Sequence, residues 1–429
     1  MTTLKAVRGT RDLLPPETEL WNRIEATARS VFARYNFGEI RTPVFEDTAL
    51  FARGVGEETD IVSKEMYTWE DRARAQSEKT QSLTLRPENT AGVVRAYIEH
   101  GLGESGLLQK LYYIGPQFRR ERPQKGRYRQ FSQIGAEVIG PPSAGSESPL
   151  RDAEVLEMLA TLLDELGIAG WTLHLNSVGS AADRARYNDT LRAALVPVVG
   201  QMCADCQRRA VTNPLRVLDC KVPADQPIID MLPVIADSLD EASKAHFAQV
   251  TAALDAAGVP YTRNQRLVRG LDYYTRTTFE FTHGGLGAQN ALLGGGRYDG
   301  LSEMLGGPRA PGIGFAMGED RLVLTLLAQL DQSAPLAQPA DAYIAPLGEA
   351  LNAAALNLAR ELRHGGLWVE LGEGGFRLKK SFEAAEKVAR RIVILGEDEL
   401  QSGILTVKDF STGIQTKVPR AELAVFLSN

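Results

Sequence analysis

VRGLDYYTRTTFEF, residues 268–281, is shaped like a strand, yet it opens with Arg269 and carries Asp272, Tyr273 and Tyr274 side by side. A hydrophobic core would place Val and Leu at those positions, because an unpaired polar or charged group in an apolar interior is costly. A cation, an anion and two phenols belong there only if polar partners meet them.

The totals bound what those partners can be. A chain of 429 residues is too long for one ordinary core, which predicts two or three domains. With 44% hydrophobic and 24% charged residues, the composition is that of a globular protein and excludes fibrous and disordered classes. The formal net charge of -6 means that any nucleic-acid contact must come from local basic patches. No apolar run approaches the roughly 20 residues of a membrane span, so no membrane partner is expected. The start, MTTLKAVRGTRDLLPPE, lacks the apolar centre of a signal peptide, and a cytoplasmic location is the expectation. Three cysteines do not suggest a disulfide framework.

Leu20, Ile24, Ala28, Val31 and Phe32 follow Pro15 and Pro16 at the spacing of one helix face. GEIRTPVFE then reads as a strand with Pro43 inside it, which fits an edge or interface strand. That helix packs either on its own sheet or on a second subunit. Two further strands are expected at 111–118 and 130–140, joined by RRERPQKGRYR. In the second, Phe131, Gln133, Gly135 and Glu137 share one face, and Ile134, Ala136 and Val138 the other. One face is apolar; the other presents an amide and a carboxylate around a glycine, as a binding surface or a solvated outer face would. From about 180 to 261 the composition is Ala-rich and helix-friendly, which predicts an inserted helical module. QSAPLAQP reads as a connector, and the last 90 or so residues alternate strand and helix as a small α/β domain does.

The loop 119–129 holds Arg119, Arg120, Arg122, Lys125, Arg127 and Arg129 against the single Glu121. Six like charges repel, so a polyanion partner accounts for the loop better than a solvated hairpin does. LGGGRYDGL and PGIGFAMGEDRL are glycine-rich but match neither a P-loop nor a dinucleotide fingerprint. Gly312, Gly314 and Gly318 let backbone approach a flat ligand, or simply make turns, while Glu319 and Arg321 open a helix. In TLRPENTAG, Glu88 offers an acceptor for an ammonium group and Thr90 a hydroxyl, although a helix cap explains both as well. Cys203, Cys206 and Cys220 lack an evident fourth ligand, with nothing in the spacing to select His174 or His246. Reduced structural thiols are the expectation, with no metal, and none of the five histidines is a catalytic candidate.

RGTRDLLP, FGEIRTPVFE, TLRPENTAG, FRRERPQKGRYRQFSQIGAEVIG, LVRGLDYYTRTTFEF and GGGRYDGL with GIGFAMGEDRL together resemble the class II aminoacyl-tRNA synthetases. Within them they resemble the histidyl-tRNA synthetase family, in its bacterial form, in order and approximate spacing over nearly the whole chain. RGLDYYTRT is the most specific of these motifs. The resemblance implies an α+β fold: an antiparallel sheet flanked by helices, with a helical insertion and a C-terminal α/β domain. It implies a catalytic domain at 1–179 and 262–331, an insertion at 180–261, a linker at 332–340 and an anticodon-binding domain at 341–429.

By the same resemblance the chain activates L-histidine with ATP and transfers it to the 3′ end of tRNA(His). Arg119 and Arg269 would be catalytic, on either side of the reacting phosphate, with Mg2+ on the leaving group. Histidine would meet Glu88, Asn89, Thr90, Gln133, Glu137, Arg269, Tyr273, Tyr274 and Tyr298. Of these, Glu137 and the Tyr274 hydroxyl suit an imidazole, which needs one acceptor and one donor. Arg119, Glu121 and Arg321 would bind ATP, and Arg122 and Gln124 the tRNA acceptor end. A homodimer contact through the first helix and the strand around Pro43 is implied as well. Arg269 and Tyr274 would fall on opposite faces of an unbroken strand, so a bulge near Gly270 is expected. Asn89 stands where glycine is usual and Ser132 where histidine is frequent; tolerance of left-handed backbone would make Asn89 harmless.

The rival is a catalytically silent relative that serves as regulatory subunit of ATP phosphoribosyltransferase. Such a chain would lose the basic loop, part of RGLDYYTRT or the C-terminal domain. All three are intact. A synthetase for another amino acid is opposed by Glu137, Tyr273 and Tyr274.

Overall fold

The computed structural model describes residues 3–56, 59–71, 80–124, 126–286, 290–329 and 338–428. Lys125 of the basic loop and most of the 332–340 connector lie outside them. The chain divides into two compact units, residues 1–334 and 335–429.

In chain order, the strands of the first unit are β1 (Gly38–Glu39), β2 (Phe45–Asp47), β3 (Tyr67–Asp71), β4 (Gln81–Leu85), β5 (Gln109–Phe118) and β6 (Gln130–Ile139). They continue as β7 (Trp171–Ser177), β8 (Thr262–Arg263), β9 (Thr275–His283), β10 (Ala291–Arg297) and β11 (Gly312–Gly318). Eight of these form one sheet in the order β1-β5-β6-β11-β10-β9-β7-β8. All neighbours in it are antiparallel except β1–β5 and β7–β8. A smaller sheet has the order β2-β4-β3.

The alternation in β6 divides the large sheet into two faces. Ile134, Ala136 and Val138 enter a core with Phe32 of helix Glu17–Arg34, Leu156 and Leu159 of helix Pro149–Glu165, and Leu322 of helix Glu319–Gln329. Val250 and Leu254 of helix Glu241–Ala257 join the same core. Each such buried aliphatic or aromatic side chain contributes roughly 1.5–3 kcal/mol, which holds the helices on this face. The first helix therefore packs its apolar stripe on its own sheet.

Two elements differ from expectation. GEIRTPVFE is not one strand: β1 and β2 belong to different sheets, and Pro43 lies in the loop between them. There its missing N–H costs no ladder bond, and the Thr42 and Pro43 carbonyls accept from the Arg86 guanidinium at 3.0 and 3.4 Å. Likewise residues 268–274 are not strand, and the expected bulge near Gly270 is instead a full turn ahead of β9. The helical module holds this turn from outside the ladder. Arg216 donates to the Arg269 carbonyl at 3.0 Å, Arg184 to the Asp272 carbonyl at 2.9 Å, and Asn213 to the Asp272 carboxylate at 2.8 Å. A register shift does occur later, opposite Gly296 and Arg297, where Arg276 takes φ 47°.

Arg297, at the end of β10, is fully buried. It donates to Asp152 at 2.9 Å, to Asp299 at 2.7 Å and to the Ser146 carbonyl at 2.6 Å, while Thr277 donates to Asp152 at 2.6 Å. This network ties β9 and β10 to the helix behind them.

Helices Ala181–Leu195, Ala204–Thr212 and Gln226–Asp230 build a separate small core around Tyr187, Leu191, Cys206, Val217 and Ile235. In the second unit, β12 (Ala342–Pro346), β13 (Val369–Leu371), β14 (Arg391–Leu395), β15 (Ile404–Asp409) and β16 (Gln415–Pro419) have the order β13-β12-β14-β15-β16. Ile344 and Val393 face one apolar cluster, Tyr343 and Ile392 another, so both faces of this sheet are covered.

Candidate active site

The face of the large sheet opposite the helices is built on glycine. A Cβ at Gly294 would lie 2.5 Å from the Arg269 guanidinium, one at Gly296 2.8 Å from the Tyr274 ring, and one at Gly312 2.4 Å from the Tyr298 ring. At Gly314 it would lie 1.6 Å from Oε2 of Glu137. The glycines that sequence alone reserves for a flat ligand thus first make room for the protein's own polar side chains, which lie down on β10 and β11.

Glu137 sits at the closed end, fully buried. Oε1 accepts from the Thr90 hydroxyl at 2.7 Å and Oε2 from the Tyr298 hydroxyl at 2.8 Å. Burial pushes its pKa up to about 8, against the opposing pull of those two hydrogen bonds. A carboxyl poised there either accepts an N–H or gives a proton to a ring nitrogen. Thr90 is shared: its backbone N–H donates to Glu88 at 2.8 Å, beside that of Ala91 at 3.0 Å. Glu88 therefore caps helix Thr90–Glu99 and is raised in pKa by burial. Tyr113, Tyr273 and Tyr298 are pushed well above the usual phenol value by burial, so all three stay neutral. The Tyr273 ring stands 4.7 Å from Tyr274 and 5.9 Å from Tyr298, completing an aromatic enclosure.

The open end is cationic. Arg119 donates to the Pro87 carbonyl at 2.9 Å and places its guanidinium 5.3 Å from the centre of the Phe131 ring. Arg269 pairs with Glu280 at 2.7 Å, and Arg321 donates to the Ala291 carbonyl at 2.6 Å. These arginines line one pocket with Glu121, Arg127, Gln133, Gly294 and Gly318. Burial, and then repulsion from Arg127, hold the Arg321 pKa below its ordinary value. Oε1 of Gln133 and Nε of Arg269 are buried without a protein partner. Such groups in a cleft are where a polar ligand is bound. The geometry suits a small molecule with an aromatic N–H or N at the closed end and an anion at the open end.

The structure thus lines one pocket with Arg119, Glu121, Gln133, Arg269 and Arg321, and gathers Glu88, Thr90, Glu137 and Tyr298 with the rings of Tyr273 and Tyr274 in a buried cluster. Arg122 and Gln124 are exposed on the loop beyond it. Asn89 stands apart: its Oδ1 accepts from Thr42 at 2.6 Å, and its φ is -121°, so left-handed tolerance does not bear on it. Ser132 sits in the β5–β6 ladder opposite Pro116.

Sequence reading missed Glu280, Tyr113 and the role of RGTRD. Glu280 alternates with the core residues Phe279 and Phe281, a signal visible in TTFEF. Arg11 of RGTRD bonds Asp320 at 2.9 Å and Glu17 at 2.8 Å, with its guanidinium 4.8 Å from the Tyr128 ring centre, and so braces the basic loop. The cysteines also have a neighbour that spacing did not suggest. Cys203, Cys206, Cys220 and Asp225 come together, whereas His174 lies in β7 and His246 faces Asp152 at 3.6 Å.

The family model described as histidyl-tRNA synthetase matches residues 9–322, and one described as anticodon binding domain matches residues 341–429. The chain is 72% identical to a histidine–tRNA ligase of Koribacter versatilis, over 99% of this chain and 96% of that one. It is 57% identical to a histidine–tRNA ligase of Solibacter usitatus over 99% of both. Among solved structures, that of apo histidyl-tRNA synthetase from S. aureus is similar over 100% of both chains, at 37% identity and a TM-score of 0.80.

Proposed function

The chain belongs to the histidyl-tRNA synthetase family, and from that premise we propose how this pocket carries out histidine–tRNA ligation. The observation that carries the reading is the polarity of the cleft: a buried carboxyl near neutrality at one end and convergent arginines at the other. Histidine fits with its imidazole on Glu137 and the Tyr274 hydroxyl and its α-amino group toward Glu88, Thr90 and Gln133. Glu137 already accepts from Thr90 and Tyr298, so a ring without nitrogens forfeits the one further hydrogen bond its carboxyl can make, about 0.5–1.5 kcal/mol.

Its carboxylate then lies toward Arg269 and Arg119. One carboxylate oxygen attacks the α-phosphorus of ATP, the bond from that phosphorus to the bridging oxygen breaks, and pyrophosphate leaves with the electron pair. Little covalent work falls to the protein. Arg119 and Arg269 hold the reactants in line and neutralise the charge on the phosphoryl oxygens, and Arg321 meets the γ-phosphate end. Mg2+, when bound, supplies further neutralisation of the leaving group; Glu121 and Glu280 on the cleft wall are hard oxygen donors that suit it. The terminal ribose hydroxyl of tRNA(His) then attacks the histidyl carbonyl and AMP leaves.

Arg122 and Gln124, both exposed, would meet the acceptor end, and the second unit would read the anticodon. Val44, Phe45 and Trp69 form an exposed apolar patch on and beside β2 and β3, which supports a homodimer. No helix among the described residues is long and apolar enough to cross a membrane, and a cytoplasmic site of action fits the reaction. The silent regulatory reading is opposed by the intact arginine set.

The test is exchange of labelled pyrophosphate into ATP across all twenty amino acids. Exchange with histidine alone is expected. Exchange with another amino acid, or none from protein that binds histidine, would overturn the reading.

A further inference from the structure

Away from the cleft, the chain brings three thiols and a carboxylate to one point. The ligand atoms of Cys203, Cys206, Cys220 and Asp225 all lie within 4.8 Å of one another. Cys206, Cys220 and Asp225 are buried and Cys203 is half-buried. With metal–sulfur bonds of about 2.3 Å, two thiolates on one tetrahedral ion stand about 3.8 Å apart. The Sγ atoms of Cys203 and Cys220 are 3.9 Å apart, and Cys220 Sγ is 3.3 Å from Asp225 Oδ2. A disulfide needs sulfurs at about 2.05 Å, roughly half that separation. Those two separations are close to the edges of such a tetrahedron, and the remaining donor pairs lie within 4.8 Å.

The surroundings suit such an ion as well. Cys203 occupies the N-cap position of helix Ala204–Thr212 and Cys206 sits in its first turn, where the helix dipole favours thiolates. The Cys203 N–H donates to Asp225 at 3.1 Å and the Val222 N–H to Cys220 Sγ at 3.4 Å, which orients two donors from outside. Without an ion, three weak thiol donors crowd one carboxylate, an arrangement that packing alone does not call for. We propose that Cys203, Cys206, Cys220 and Asp225 form a closed structural site for a thiophilic divalent cation of the Zn2+ class.

The site's place in the chain gives it a task. It closes the segment that carries Asn213 and Arg216, the two side chains that hold the turn at Asp272 and Arg269. The ion staples that support, from a point that touches no substrate.

Two measurements on the full-length protein test this. Wild-type protein prepared under reducing conditions with Zn2+ and then dialysed is expected to retain about one equivalent per chain. A Cys206→Ser/Cys220→Ser variant is expected to retain none. Because that variant could fail to fold, Co2+ is titrated separately into metal-free wild type. A thiolate-to-cobalt charge-transfer band with tetrahedral d–d absorption, saturating at one equivalent and lost on adding Zn2+, supports the site. Metal retention equal in wild type and variant, or a Co2+ spectrum without thiolate bands, overturns it.

Discussion

The two large sheets of this protein use their faces differently. The sheet of the second unit is covered on both sides: every residue of β12 is buried, with Ile344 and Tyr343 facing separate apolar clusters. The eight-stranded sheet of the first unit packs one face under its large helical core and gives much of the other to glycines and charged or phenolic side chains, with a small apolar cluster of Val94, Tyr97 and Ile139 at the closed end. In the central strands of the first arrangement, β12 and β14, nearly every residue adds to stability. In the second, half of them forgo it, and the free energy for holding Arg269 and Glu137 in place comes from the opposite face. The polar groups are thereby held on one side of a layer whose larger apolar core lies on the other.

The sharpest break of that contrast is Arg269→Ala. Adenylate formation should fall about 100- to 1000-fold, as for loss of one transition-state donor, with the melting temperature unchanged. Single-turnover assays and a thermal scan read the two effects apart, and a matching loss of stability would show that the polar face is structural after all. Next comes the closed end. Glu137→Gln and Gly314→Ala should each raise the histidine KM about 10- to 100-fold, the second because a Cβ there displaces Glu137. An unchanged KM in both would remove Glu137 from the pocket.

The converse change is Ile344→Ala, which empties part of a fully packed face. It should cost the second unit about 2–5 kcal/mol in denaturant titration and leave histidine-dependent exchange unaltered. Loss of exchange would mean that the second sheet has a part in activation. The smallest effect is in pH dependence. Glu137 and Glu319 are both pushed up to about 8 by burial, so the folded protein holds protons that the unfolded chain releases near pH 4.5. Stability of the ligand-free protein should therefore be greatest below pH 4.5, as far as these two groups decide it. It should decline toward pH 8 by at most about 1.4 kcal/mol per pH unit for each. Glu319→Gln should flatten the decline, as chemical unfolding at pH 5.5 and 7.5 would show.

Much of the first sheet was legible because period-2 alternation in β6 carries face information directly: Ile134, Ala136 and Val138 to the core, Gln133 and Glu137 to the cleft. Alternation failed at 268–274 because the side chains that hold that turn, Arg184, Asn213 and Arg216, come from far along the chain. The same limit hid Asp225 from the cysteines, since a carboxylate five residues past Cys220 has no recognisable ligand spacing. It hid the purpose of the glycines too. A missing side chain is readable, but which neighbour occupies the space is not.

Arg297 has a consequence of another kind. Its guanidinium is satisfied only when Asp152, Asp299 and Ser146 all arrive at their native positions. If β10 slipped by one residue against β9, only Leu292 and Leu293 would turn apolar side chains to the wrong face, because Gly294, Gly295 and Gly296 have none to misplace. A buried cation without its partners, however, costs several kcal/mol. The close approach at the glycines resists such a slip sterically, and the arginine at the strand's end acts as a second detent, penalising mispaired sheets during assembly more than it rewards the finished one.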